Sequence, residues 1–149
     1  MSIKEQLLKE LNDTLDKKIS IVLEAIELAK EARDSDTKSS AGDKYETGRA
    51  MMQNELQKNT VQLNNLYQLK KDLTKVDTNQ NTQTVGFGSL VFTNHGKYFI
   101  SIGLGKVIYD SEEFYAISLS SPIGKVLQNK TQGATVNFNG KAMVIEEIY

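Results

Sequence analysis

The first half of the chain repeats apolar residues at helical spacing. Steps of three and four place the following side chains on one stripe of a helix: Leu8, Leu11, Leu15, Ile19, Val22, Ile26 and Ala29. From Ser2 to Val76 there is no proline, and the only glycines are Gly42 and Gly48. This pattern constrains the fold most, because a long helix with one apolar stripe must bury that stripe against a partner.

A second apolar stripe follows the first at a similar period and supplies that partner. It runs through Tyr45, Met52, Leu56, Leu63, Leu66 and Leu73. Asn59 lies on the same seam, where a lone polar residue often fixes the register, and Arg49 and Lys70 lie near it. The two stripes predict an antiparallel coiled-coil hairpin with arms of roughly 30 residues, each about 45 Å long.

The second half has the pattern of a β-domain. From Thr84 onward there are eight glycines and one proline. Short β-branched and aromatic runs predict strands in VGFGSLVF, KYFISIGL, EFYAISLS, ATVNF and AMVIEEI. The segments NHGK and FNGK predict hairpin turns, and Ser120 or Ser121 is placed to cap a short helix that starts at Pro122. We therefore expect an α+β protein whose small antiparallel sheet carries one short helix.

The change in composition predicts three segments. Residues 1–76 form the coiled-coil hairpin, the polar stretch DTNQNTQT at 77–84 is a linker, and 85–149 form the β-domain. The N-terminus lacks the apolar core of a signal peptide, and no apolar run is long enough to span a membrane. These features, with the absence of cysteine, predict a cytoplasmic protein without a membrane partner. The net charge of −1 argues against specific duplex DNA binding.

Few residues suggest catalytic chemistry. His95 is the single histidine and there is no cysteine, which removes most catalytic triads and transition-metal sites. Asp34, Asp36 and Asp43 lie at the junction between the two predicted helices. Paired carboxylates there can hold magnesium, and the same acids can instead end one helix and begin the next.

Three segments resemble the bacterial Gre family of transcript-cleavage factors. IELAKEAR (Ile26–Arg33) is similar to the family's I-x-x-A-R-E region, and DKYETGRAMMQNELQKNTVQLNNL is similar to the helix that follows its hairpin tip. ISLSSPIGKVLQNKTQGATVNF is similar to the family's S-x-x-S-P-I-x-x-x-L-x-G-K helix and the strand after it. The resemblance covers nearly the whole chain. It implies an N-terminal coiled-coil hairpin and a C-terminal domain with an FKBP-like fold.

The resemblance also implies a partner and a mode of action. In the family, the C-terminal domain docks at the mouth of the RNA polymerase secondary channel, and the hairpin reaches toward the active site. Two acids at the tip help to hold a second magnesium ion and a water, so that the polymerase cleaves backtracked RNA near its 3′ end. By this resemblance Ser121, Pro122 and Ile123 are the docking residues. The partner-facing tip comprises Asp34, Asp36, Lys38, Ser40, Ala41, Asp43 and Tyr45.

The tip departs from the family motif G-D-L-x-E-N-A-E-Y. Counting back from Tyr45 puts Lys38 and Ala41 at the two acidic positions, whereas counting forward from EAR puts Thr37 and Ser40 there. Neither register provides an acid. We therefore expect a Gre-like factor that modulates initiation or elongation without strong cleavage stimulation. It would not be an enzyme and would have no cofactor of its own, with magnesium involved only in the polymerase-bound state.

Three alternatives remain open. Asp36 and Asp43 would stand in for the usual acid pair if the turn were rearranged, and the chain would then stimulate cleavage. The two apolar stripes would equally suit a coiled-coil adaptor unrelated to transcription. Prolyl isomerase activity follows from fold analogy alone, which does not imply function.

Overall fold

The computed structural model describes residues 2–35 and 42–149, and the side chains of 2–34 and 46–149 within them. The chain divides into two compact units. One consists of Met1–Asp13 together with Lys71–Tyr149, and the other of Thr14–Lys70. The domain boundaries expected from composition stay a prediction.

Two long helices form the first part of the chain, as the apolar periodicity predicts. They are α1 (Ile3–Ser35) and α2 (Gly42–Leu73). Within Thr14–Lys70, Arg33 Nη1 donates to Gln53 Oε1 at 3.2 Å, and Lys70 forms an ion pair with Asp16. Arg33, near the end of α1, thus contacts the first half of α2, whereas Asp16, in the first half of α1, contacts Lys70 near the end of α2. The two helices therefore run antiparallel, which confirms the predicted hairpin.

The apolar stripes are the buried faces of this helical pair. Among the described side chains of Thr14–Lys70, the buried apolar ones are Leu15, Ile19, Val22, Ile26, Ala29, Leu56 and Leu66. Met52, Asn59 and Leu63 are half-buried, which agrees with the less regular second stripe. One expected position is corrected at the start of α1, where Leu7 is buried and Leu8 only half-buried. Steps of four from Leu7 through Leu11 to Leu15 keep the stripe on one face.

The β-domain contains six strands and one short helix. The elements are β1 (Leu90–Thr93), β2 (Gly96–Ile100), β3 (Gly105–Tyr109), β4 (Glu112–Ile117), α3 (Pro122–Leu127), β5 (Thr135–Phe138) and β6 (Lys141–Ile148). The strand order in the sheet is β3-β4-β2-β1-β6-β5. The α+β class expected from the sequence is confirmed.

The sheet is mixed, whereas the sequence led us to expect an antiparallel one. β2 and β4 pair in parallel, with Phe99 opposite Ala116, and the other strand pairs are antiparallel. The difference arises from β3, which the sequence analysis did not identify as a strand. The chain passes from β2 to the edge strand β3 and returns as β4, which therefore runs in the same direction as β2.

Both faces of the sheet are buried. One face contributes Val91, Ile100, Met143 and Ile145 to a core that also includes Leu127 of α3. Side chains alternate between faces along a strand, so Leu90 and Phe99 lie on the opposite face, and they are 1% exposed. We infer that helical residues of the same unit cover this second face. The candidates are Leu7, Leu11 and Leu73, each no more than 1% exposed.

Tight turns join neighbouring antiparallel strands. Asn139 and Gly140 have φ of 51° and 77°, as a type I′ hairpin requires, which confirms the prediction from FNGK. Asp110 and Ser111, with φ of 53° and 62°, make a similar turn between β3 and β4. The sequence analysis missed this second turn, because Asp-Ser is a weaker signal than Asn-Gly.

Hydrogen bonds fix the polar stretch at 77–84. Asp77 Oδ1 accepts from the backbone N–H of Asn79 at 2.9 Å, and the carbonyl of Gln80 accepts from Lys4 Nζ at 3.0 Å. Thr84 pairs with Thr131 in an isolated β-bridge. The stretch is therefore attached at several points to the unit that contains the sheet.

Candidate functional site

The Ser-Pro-Ile segment forms the start of α3. Ser121 has extended backbone angles (φ −65°, ψ 159°), and its Oγ accepts from Gly124 N–H at 3.0 Å. The same hydroxyl donates to the carbonyl of Ser118 at 2.7 Å. Pro122 occupies the first helical turn, where its missing N–H costs nothing. Of the two capping candidates, the structure assigns Ser121, while Ser120 Oγ lies 3.2 Å from Ser118 Oγ.

Gly124 fixes how closely α3 approaches the chain that precedes it. A Cβ added at this position would lie 2.3 Å from the carbonyl oxygen of Ser118 and 2.8 Å from that of Leu119. Both atoms belong to the backbone and cannot move aside easily. The sequence analysis missed this residue. The feature that could have identified it is a glycine inside a short predicted helix, where glycine is otherwise unfavourable.

The three predicted docking residues differ in accessibility. Ser121 is half-buried and engaged as the cap, and Ile123 packs against the apolar core. Pro122 is exposed, as are the neighbouring Ser120 and Lys125. We call these three exposed residues the Pro122 surface. Pro122 is therefore the one exposed member of the predicted trio.

The predicted hairpin tip falls largely outside the described part of the chain. Asp36, Lys38, Ser40 and Ala41 lie outside the described residues, and the side chains of Asp43 and Tyr45 do so too. Asp34 is described: it is exposed and accepts a hydrogen bond from Arg33 Nε at 3.2 Å. The arrangement of these residues as a partner-facing tip stays a prediction.

The described residues contain no candidate metal cluster. No group of three or more histidine, aspartate or glutamate side chains in residues 2–34 and 46–149 is arranged to hold a metal ion. No helix in the described ranges is both long and apolar enough to cross a membrane.

His95 is tied to the neighbouring strand. Its Nε2 lies 3.0 Å from the carbonyl oxygen of Ala142, and its backbone N–H donates to Thr93 Oγ1 at 3.1 Å. Asn94 Oδ1 accepts from the backbone N–H of Val144 at 2.9 Å. These contacts fasten the turn between β1 and β2 to β6, which gives His95 a structural partner.

Charged and aromatic side chains on the sheet form local pairs. Lys97 Nζ lies 2.5 Å from Glu112 Oε2 and 5.0 Å from the centre of the Phe92 ring. Lys106 hydrogen-bonds to Glu113, which raises the pKa of that lysine. Burial, and then the neighbouring Tyr115, raise the pKa of Tyr98. These pairs join a lysine to a carboxylate, a lysine to an aromatic ring, or two tyrosines, and none of them places a nucleophile beside a general base.

Comparisons with known proteins show a distant structural likeness. No protein-family model matches the sequence, and no curated protein matches it. Among solved structures, the chain matches one described as the structure of the transcription factor Gfh1. The match covers 95% of this chain and 92% of that one, with 16% identity and a TM-score of 0.35. A likeness this loose does not define a family for the chain.

Replacing Gly124 with alanine tests the close approach of α3. We expect Gly124→Ala to lower the free energy of unfolding by roughly 2 kcal/mol or more, since the new methyl group meets backbone oxygens that cannot yield. Chemical denaturation of the purified chain measures this change. Gly103→Ala is the matched control, because an added Cβ there meets nothing within 4 Å. Equal stability of the two variants would show that α3 does not depend on this contact.

Proposed function

We propose that the chain is a Gre-like transcription factor that binds RNA polymerase. The observation that carries the proposal is the segment Ile117–Phe138. It carries the Ser-Pro-Ile pattern of the family, and it forms a capped helix with Pro122 exposed, followed by β5. The order of elements, an antiparallel helical pair and then an α+β domain, is the order that the family resemblance implies.

The proposed mode of binding assigns separate roles to the two parts of the chain. The Pro122 surface docks on the rim of the polymerase secondary channel, and the α1–α2 hairpin enters the channel. We propose an FKBP-like fold for the C-terminal domain by the same resemblance. The RNA 3′ end is then contacted only through the polymerase complex.

The proposed effect on transcription follows from the residues at the tip. Two-metal hydrolysis of a phosphodiester needs carboxylates that hold the second cation. The sequence has Lys38 and Ala41, or Thr37 and Ser40, where the family has acids. The factor therefore acts by occupying the channel and modulating initiation or elongation, without strong stimulation of RNA cleavage.

The same proposal covers catalysis, cofactors, location and other binding partners. The chain is an accessory protein rather than an enzyme and needs no cofactor of its own. Magnesium enters only as part of the polymerase complex. It acts in the cytoplasm, where the polymerase is, and it binds neither membranes nor specific duplex DNA.

Binding through the Pro122 surface predicts a specific response to mutation. Pro122→Glu should weaken binding to the core polymerase of the same organism by about tenfold or more, because it puts an unpaired charge into the interface. Its stability should change little, since an acid is favourable at the start of a helix. Affinity is measured by biolayer interferometry with immobilised polymerase.

Gln132→Glu is the matched control for this experiment, because it adds the same charge at an exposed position outside the Pro122 surface. Its stability and its binding to polymerase should both be close to those of the parent chain. The proposal fails if the parent chain does not bind polymerase. Docking by the Pro122 surface fails if both variants bind equally well.

The tip residues predict a negative result in a cleavage assay. Added to backtracked elongation complexes, the chain should release no more short RNA than the polymerase alone at any magnesium concentration, because neither register supplies the acid pair. The products are separated on sequencing gels, with an established cleavage factor as the positive control.

The alternative with Asp36 and Asp43 gives the opposite outcome. It predicts cleavage above background that is lost in the double variant Asp36→Asn, Asp43→Asn. Such a result would replace the proposed modulator with a cleavage-stimulating factor, and it would leave polymerase binding intact.

A further inference from the structure

A pocket of about 380 Å³ lies within the unit that contains the sheet. Its walls come from the first residues of α1, the segment 78–81, Leu90 and Tyr149. A volume of this size is in the range of sites that take small organic molecules. None of these residues has a role in the proposed binding to polymerase.

Lys4 is the unusual residue of this pocket. It is only 5% exposed, although lysine is rarely buried without a charged partner. Its ammonium group has three N–H donors, and the structure shows one of them bonded, to the carbonyl of Gln80 at 3.0 Å. None of the ion pairs in the described part of the chain includes Lys4. Lys4 is therefore a buried lysine at the wall of the pocket, with one hydrogen bond to the described part of the chain.

The electrostatic surroundings leave that cation poorly compensated. Lys4 lies in the first turn of α1, where the positive end of the helix disfavours a positive side chain. Burial lowers the pKa of Lys4, and Asp77 opposes this effect only in part. An anion bound at Nζ would compensate both the ammonium group and the helix end.

The remaining walls suit an apolar group. Tyr149 is held at the pocket by backbone hydrogen bonds with Leu90 in both directions, at 2.8 and 2.9 Å. Its ring packs edge-on against Phe92, with 5.2 Å between the ring centres, and the residue as a whole is 45% exposed. Ile3, also 45% exposed, lines the same cavity. Apolar surface thus lies beside the cation, with the amides of Asn79 and Asn81 also among the lining residues.

We propose that this pocket binds a small organic anion. The carboxylate or phosphate group of the ligand accepts hydrogen bonds from Lys4 Nζ, and its flat apolar body packs against Tyr149 and Ile3. The site belongs to the chain itself, so it forms without the polymerase and does not depend on the function proposed above.

Titration of the ¹⁵N-labelled full chain tests the site directly. Benzoate and phenyl phosphate are the two anionic probes, and benzamide is the neutral one. We expect amide shifts concentrated at Ile3, Lys4, Asn79–Asn81 and Tyr149 with at least one anion, and much weaker binding of benzamide. Comparison of the two anions shows whether the site prefers a carboxylate or a phosphate.

Lys4→Met is the informative variant, because methionine is unbranched like lysine, is only one atom shorter and has no charge. Replacing a buried charge with an apolar side chain should leave the fold intact, which the unperturbed part of the spectrum verifies. The dissociation constant of the anion should rise by about tenfold or more. Lys9→Met, at an exposed position of the same helix, should have no effect.

Two results would overturn the proposal. One is the absence of localised shifts with either anion up to its solubility limit. The other is anion binding that is the same in Lys4→Met as in the parent chain, or the same for benzamide as for benzoate.

Discussion

The apolar character of both faces of the β-sheet is the constraint on which the structure of the C-terminal part depends. Val91 and Ile100 on one face are fully buried, and so are Leu90, Phe99 and Phe114 on the other. Burial of each such side chain contributes about 1.5–3 kcal/mol, so neither face can be left to water. α3 covers the first face through Leu127, and residues 1–13 and 71–76 belong to the same unit as the sheet.

The packing of α3 against the first face of the sheet also determines which residues of this helix are exposed. Leu127 and Ile123 point toward the core, and Gly124 lets α3 lie against the backbone of Ser118 and Leu119. Pro122 is then exposed at the start of the helix, with its position fixed by the Ser121 cap. A rigid and exposed proline is well suited to docking, since little conformational entropy is lost when a partner binds it.

Local patterns in the sequence predicted much of this architecture. The stripe from Leu11 to Ala29 predicted α1 because the helical period is a local property of the chain. The Asn139-Gly140 turn and the cap of α3 were predicted for the same reason. β3 was missed because its run of β-branched and aromatic residues is only three residues long, Val107 to Tyr109, between Lys106 and Asp110. The parallel pairing of β2 with β4 depends on that missing strand.

The candidate sites were predicted less completely. The sequence identified the Ser-Pro-Ile segment, but it did not separate the exposed Pro122 from Ile123, which packs against the apolar core. The need for glycine at 124 was also missed, because it depends on how closely α3 approaches the carbonyl oxygens of Ser118 and Leu119. Nothing in the sequence indicates that Lys4 is buried, because a lysine near the start of a helix normally extends into solvent. Its burial results from contacts with residues more than seventy positions away, as the bond to Gln80 shows.

Site-specific photocrosslinking to RNA polymerase tests the central claim most directly. A photoreactive amino acid is placed at Glu46, which is exposed near the start of α2, and in a second sample at Lys125 beside Pro122. Position 46 is predicted to crosslink inside the secondary channel near the catalytic centre, and position 125 at the channel rim. The account would be contradicted if neither position crosslinked to the polymerase, or if both crosslinked to surfaces away from the channel.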